Sequence, residues 1–293
     1  MSESKTEPNG ILVIDKPPGW TSHDVVAKCR GILGTRKVGH SGTLDPDATG
    51  VLVLGVGKCT RILQYLTGLP KRYVGEIVLG TETTTLDASG EVTATFDMSS
   101  VTLKEVKAAA AQLTGDINQV PPMVSALKVE GRRLHEIARE GREIERQPRP
   151  VTVYQFDVIE TDYSHVFRCD IRRSTGTYIR SLAADLGKLL KGGAHLTNLR
   201  RLSVGSFSVE EAHPIEDPVL ISAAAGLRDF KEVRVTEEVA IEVGYGKVLK
   251  RERLGVDDGS GPWPVLDLQG NLLAVYEPHK TGVKPAVVLV GPS

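Results

Sequence analysis

The chain is short of cysteine, of aromatic residues and of net charge, and each shortage closes off a class of protein. Its three cysteines, Cys29, Cys59 and Cys169, are odd in number and far apart. They form neither a C-x-x-C pair nor a Cys/His cluster, which excludes a disulfide scaffold and a zinc knuckle and reads as reduced, buried thiols in a cytosolic protein. Aromatics make up 5% of residues and the net charge is −1, so unselective binding of a polyanion by bulk charge is excluded as well. No stretch reaches the ~18 apolar residues of a membrane span, and the polar start "MSESKTEPNG" lacks an apolar core behind a positive segment. The expectation is a cytoplasmic protein, neither exported nor inserted. With 293 residues, 40% of them hydrophobic and 25% charged, the chain has material for one large domain, or one with a small appendage.

What is present follows a mixed α+β pattern without internal repeats. "ILVID" reads as a buried strand, "KPPGWTS" as a loop, and Ser22 as the N-cap of a helix whose Val25, Val26, Cys29, Ile32 and Leu33 keep helical spacing up to Gly34. "VLVLGVG", "RYVGEIVLG", "GEVTATF", "VTVYQFDVIE" and "HVFRCDIRR" read as strands. "TLKEVKAAAAQLTG" and the segment after the turn "STGTY" read as helices. Residues 118–150 hold seven Lys/Arg against five Glu and form either a basic hairpin or helical flap, or a solvated, ion-paired helix face. Charge then separates: eight Lys/Arg against two Asp in 168–201, and three against nine Asp/Glu in 208–242. A basic face on a balanced protein suits a polyanionic partner met in one place. From about residue 236 the pattern becomes a small β-rich module.

The stretch "GHSGTLDPDATG", residues 39–50, hangs between two apolar elements, where loops tend to carry chemistry. Pro46 restricts Asp45 to extended backbone. Three readings of its acids stay open on the residues alone: a turn whose carboxylates close Asx bonds, an Asp45/Asp47 pair holding a magnesium ion, or a single carboxylate acting as nucleophile or base. No further ligand stands at metal spacing beside them. Arg180, opening a helix behind a tight turn, would hold a neighbouring carboxylate ionised, or is simply a surface arginine. Tyr73 and Tyr178 sit beside basic residues, and such aromatics either stack on extruded bases or pack as ordinary strand residues.

Taken in order, "GILVIDKPPGWTS", "KVGHSGTLDPDATGVLVLGVG", "KRYVGEIVLGTETTTLDASGE", "QVPPMVSALKVEGRRLHEIAREGRE", "RPVTVY", "STGTYIRSLAADLG" and "LTNLRRLSVGSF" resemble the bacterial tRNA pseudouridine-55 synthase (TruB) family over almost the whole chain. The resemblance implies a mixed, largely antiparallel central sheet with flanking helices in residues 1–235, an RNA-clamping insertion at 118–150, and a small PUA-like module at 236–293. It makes Asp45 the catalytic carboxylate, Tyr73 the ring stacked on the target base and Arg180 the partner of the aspartate. His40 enters the space left by the flipped nucleotide, and Lys16, Tyr178, Arg132 and Arg200 join the RNA-binding set. The implied partner is the T-arm of tRNA, with no guide RNA, no obligate protein partner and no membrane. The implied reaction is an isomerisation needing no metal, redox partner or other cofactor. The chain departs from the family pattern at Cys59, Arg61, His135 and Arg173, the last standing where a cysteine is common.

Overall fold

A computed structural model describes residues 7–291 apart from 126, 130 and 258. The chain divides into two compact units, one of residues up to Pro46, Gly50–Thr67 and from Val204 onward, the other of Asp47–Thr49 and Gly68–Ser203.

In the first unit the strand Gly10–Lys16 runs antiparallel to Thr49–Val56, with Leu12 opposite Leu54 and Ile14 opposite Leu52. All four side chains are fully buried, as the unbroken apolar runs demand of a strand covered on both faces. Val38–His40 pairs with the far side of Thr49–Val56, so the segment 41–48 is a loop returning the chain to the same strand. The helix Ser22–Leu33 buries Val25, Val26 and Cys29 and stops at Gly34, whose φ of 63° is left-handed. Two expectations change here. Thr21, not Ser22, is the N-cap: its hydroxyl accepts from the Asp24 amide while the Asp24 carboxylate accepts from the Thr21 amide, a reciprocal capping box. Ile32 is 43% exposed, because the buried stripe ends one turn earlier.

The same unit holds a five-stranded sheet drawn from Val233–Arg234, Leu249–Lys250, Trp263–Leu266, Leu272–His279 and Gly282–Val288. Its pairs are antiparallel except Val233–Arg234 with Trp263–Leu266, and it closes over Trp263, Val265, Tyr276 and Val283. Tyr65 donates to Glu277 at 3.0 Å, and Lys58 and Arg61 donate to the carbonyls of Leu289 and Val288 at 2.9 and 2.7 Å.

In the second unit the strands lie in the order Ala194–Val204, Lys71–Leu79, Val166–Arg173, Arg149–Glu160, Gly115–Gln119. Lys71–Leu79 and Arg149–Glu160 both pair antiparallel with Val166–Arg173. Helices Leu103–Gln112 and Ile179–Leu189 flank them, the first capped by a Thr102/Glu105 box and closing at Leu113. The 118–150 segment carries a hairpin of Lys128–Val129 with Arg132–Arg133, then the helix Leu134–Arg139, which buries Leu134 and Ile137 and so is not a solvated helix face. Ion pairs of Arg142 with Glu140 at 3.2 Å and Arg146 with Glu143 at 2.8 Å brace its outer face. The side chain of His135 lies outside the described residues. All three cysteines are free and buried, and burial pushes Cys29 and Cys59 up to about 11 and Cys169 up to about 12.

Candidate active site

Asp45 sits half-buried in the 41–48 loop, between buried Leu44 and Ala48. The backbone on either side of it is clamped by the "KPPGWTS" segment. Before it, the Leu44 amide donates to the Ser22 hydroxyl at 2.9 Å, and that hydroxyl donates to the Leu44 carbonyl at 3.2 Å. Ser22 thus closes both polar groups of one loop residue, which is why it is unavailable as a helix cap. After it, the Pro46 carbonyl accepts from the Gly19 amide at 3.0 Å and from Lys16 Nζ at 2.8 Å. Gly19 has φ +79°, a backbone state that favours glycine.

Lys16 is fully buried. Its ammonium also donates to the carbonyls of Pro17 at 2.9 Å and Trp20 at 2.7 Å. A buried cation is tolerated when its hydrogen bonds are met, and three carbonyls match the three N–H groups of an ammonium. The amine knits the strand end, the "PPGW" turn and the Asp45 loop together.

Tyr73 lies on the buried face of Lys71–Leu79, 3% exposed. Its hydroxyl accepts from Arg173 at 2.8 Å and from Arg201 at 3.4 Å, and both guanidinium carbons lie within 6.0 Å of the ring centroid. Burial pushes the phenol's pKa up, but the charges and hydrogen bonds of the two arginines outweigh it, and the net shift is downward. Burial pushes Arg201 down. Lys71, on the same face, is pushed down to about 7 by burial and by the charges of Arg173 and Arg201.

Arg180 is buried in the first turn of Ile179–Leu189, behind a turn in which Gly176 takes φ +85°. It donates to the carbonyls of Thr85 and Val124, both at 2.9 Å, and pairs with Asp87 at 3.4 Å. Of the other expected residues, Tyr178 caps that helix, exchanging backbone hydrogen bonds with the Gln119 amide group at 2.7 and 3.1 Å. Arg132 is exposed on the insertion hairpin and ion-paired to Glu140. Arg200 is half-buried on Ala194–Val204. His40 ends its strand half-buried, edge-to-face with His23 at 5.3 Å and 86°. Ser22, His23, Asp87, Arg173 and Arg201 enter these constellations without having been singled out as site residues. Among the described residues, no group of three or more His, Cys, Asp or Glu side chains is placed to hold a metal ion, and no helix is long and apolar enough to cross a membrane.

The fold is shared with chains of solved complexes. It superposes on a chain of the solved Cbf5-Nop10-Gar1 complex with TM-score 0.74 at 25% identity, over 96% of this chain and 84% of that one. A chain of an H/ACA RNP bound to a substrate RNA containing 2′-deoxyuridine gives 0.72 at 23%, over 97% and 85%. The profile described as TruB family pseudouridylate synthase (N terminal domain) matches residues 30–179, and that of the tRNA pseudouridylate synthase B C-terminal domain matches 180–226. Relatives bearing the name tRNA pseudouridine synthase B are similar over nearly their full length. That of Mycobacterium leprae is 50% identical, covering 99% of this chain and 94% of the relative, and that of Rhodococcus jostii is 45% identical, covering 92% and 90%. The class is pseudouridine synthase, and the chain belongs to the TruB family within it.

Proposed function

We propose that this chain converts the uridine at position 55 of the tRNA T-loop to pseudouridine without a guide RNA or obligate protein partner. The general activity, isomerising uridine to pseudouridine in tRNA, goes with the family and its relatives. The observation that carries the particular reading is the double clamp on the Asp45 loop, a fixed backbone for a group that must meet a reacting atom within tenths of an ångström.

The reaction breaks the bond from C1′ to N1, turns the uracil and rejoins it through C5. Nothing is added or removed overall beyond one proton exchanged with water, so the balance requires no co-substrate. Asp45 starts it, either bonding covalently to sugar or base or taking a 2′ proton to give a glycal, since both roles share one position. Arg180, a buried cation, is the residue assigned as the partner of the aspartate. The target uridine is flipped out of its stack, at a cost of a few kcal/mol offset by new contacts. Tyr73 stacks on it, and His40 occupies the space it leaves. Arg132 on the insertion, with Tyr178 and Arg200 in the basic stretch 168–201, grips the T-arm. Residues 236–293 form the PUA-like module, and the tRNA substrate puts the protein in the cytoplasm.

The likeness to Cbf5, solved with Nop10 and Gar1, favours a second reading, in which protein and guide partners are needed. Purified chain with a bare tRNA transcript tritiated at uracil C5 separates the two: tritium release without additions supports the stand-alone enzyme. Release only with added partners supports the second reading. Loss of release in EDTA points to a metal-dependent transferase instead.

A further inference from the structure

Tyr73 is gripped more tightly than a stacking ring requires. Strand register sets Ile171 opposite Tyr73 and Arg173 opposite Lys71. Alternate residues share a face, so Arg173 stands diagonal to Tyr73, roughly 7–8 Å away, within reach of a long side chain. Its Nη2 donates to the Tyr73 hydroxyl at 2.8 Å and its Nη1 to the Ser174 carbonyl at 2.9 Å. That carbonyl also accepts from the Thr177 hydroxyl at 3.1 Å. One planar, rigid fork therefore ties the phenol to the turn that leads into the Arg180 helix.

We propose that Arg173 is a positioning residue for the reaction, fixing the Tyr73 hydroxyl and with it the plane of the ring that receives the target uracil. The inference rests on the reading of Tyr73 as the stacking residue. Arg201, reaching the same oxygen at 3.4 Å from the neighbouring strand, completes the hold. The downward net shift of the phenol agrees with two cationic donors on one oxygen.

The test is a double-mutant cycle on Arg173 and Tyr73, read by single-turnover pseudouridine formation, tRNA affinity and ultraviolet titration of tyrosine. Arg173→Ala is expected to slow turnover about tenfold, the effect of losing one charge-assisted hydrogen bond. Its tRNA dissociation constant stays within about twofold of wild type. Its titration loses the low-lying tyrosine that Tyr73→Phe also removes. In a Tyr73→Phe background, Arg173→Ala adds no further loss, because the hydroxyl it holds is gone. Arg173→Lys, which keeps one donor, recovers part of the rate and serves where the alanine variant folds poorly. Additive losses in the pair, or a fall in affinity equal to the fall in kcat/KM, overturn the proposal. Wild-type turnover by Arg173→Ala while Tyr73→Leu fails overturns it alone; wild-type turnover by Tyr73→Leu removes the stacking reading beneath it too.

Discussion

The loop of Asp45 and the strand of Tyr73 are held in opposite ways. Asp45 is fixed through its backbone: Ser22 closes Leu44 on one side, and Lys16 and Gly19 close Pro46 on the other. Tyr73 is fixed through its side chain, by two arginines on its hydroxyl. In the proposed roles, a carboxylate that bonds to, or deprotonates, a substrate is best aimed by groups that hold its neighbours. A ring that only receives a base can be gripped by its own polar tip.

The contrast can be broken at either end. Asp45→Asn keeps the loop and removes the reactive oxygen, so tritium release is expected to fall at least about a thousandfold, with tRNA affinity by filter binding unchanged. Lys16→Met removes the one ammonium that three part-buried carbonyls share, and chemical denaturation should show a loss of about 3 kcal/mol together with reduced turnover. Equal stability would mean that the ammonium is not the knot of the loop.

Lys71 is a second buried lysine, set beside Arg173 and Arg201. Its value in the fold, near 7, lies below its ordinary 10.5. The unfolded chain therefore binds the extra proton across that window, and stability climbs as pH rises from 7 toward 10. The climb is about 1.4 kcal/mol per pH unit at most from this group; below 7 the whole cost of the buried charge is present. Urea unfolding at pH 7 and 9 should show a rise in wild type that is smaller in Lys71→Met.

Ser22→Ala orphans the Leu44 amide and is expected to cost about 1–2 kcal/mol, with a fall in kcat larger than the change in KM. Thr21→Ala, one residue away, removes only the helix cap. It should cost about 1 kcal/mol and leave kcat unchanged, so a matching loss of kcat in both variants would erase the distinction between cap and clamp.

Much of this was legible in the chain. Apolar runs marked the strands at 10–16 and 49–56, Gly34 marked a helix end, and the density of Gly, Asp and Pro marked residues 39–50 as a loop, which the strands on either side narrow to 41–48. What stayed hidden depends on partners that leave no sequence signal. A lysine at a strand end reads as solvated, because the three acceptors that let Lys16 be buried are backbone carbonyls of Pro17, Trp20 and Pro46. Thr21 and Ser22 are interchangeable as caps on paper; only the approach of Leu44 assigns Ser22 elsewhere. Arg173 is 100 residues from Tyr73 along the chain, and register alone brings them together.

Pseudouridine mapped at single-nucleotide resolution in a tRNA transcript treated with the purified chain alone, beside its Asp45→Asn variant, tests both the target and the catalytic carboxylate. One modified position, uridine 55 of the T-loop, is expected with wild type and none with the variant. Modification by the Asp45→Asn protein, or at a uridine outside the T-loop in place of position 55, would contradict it.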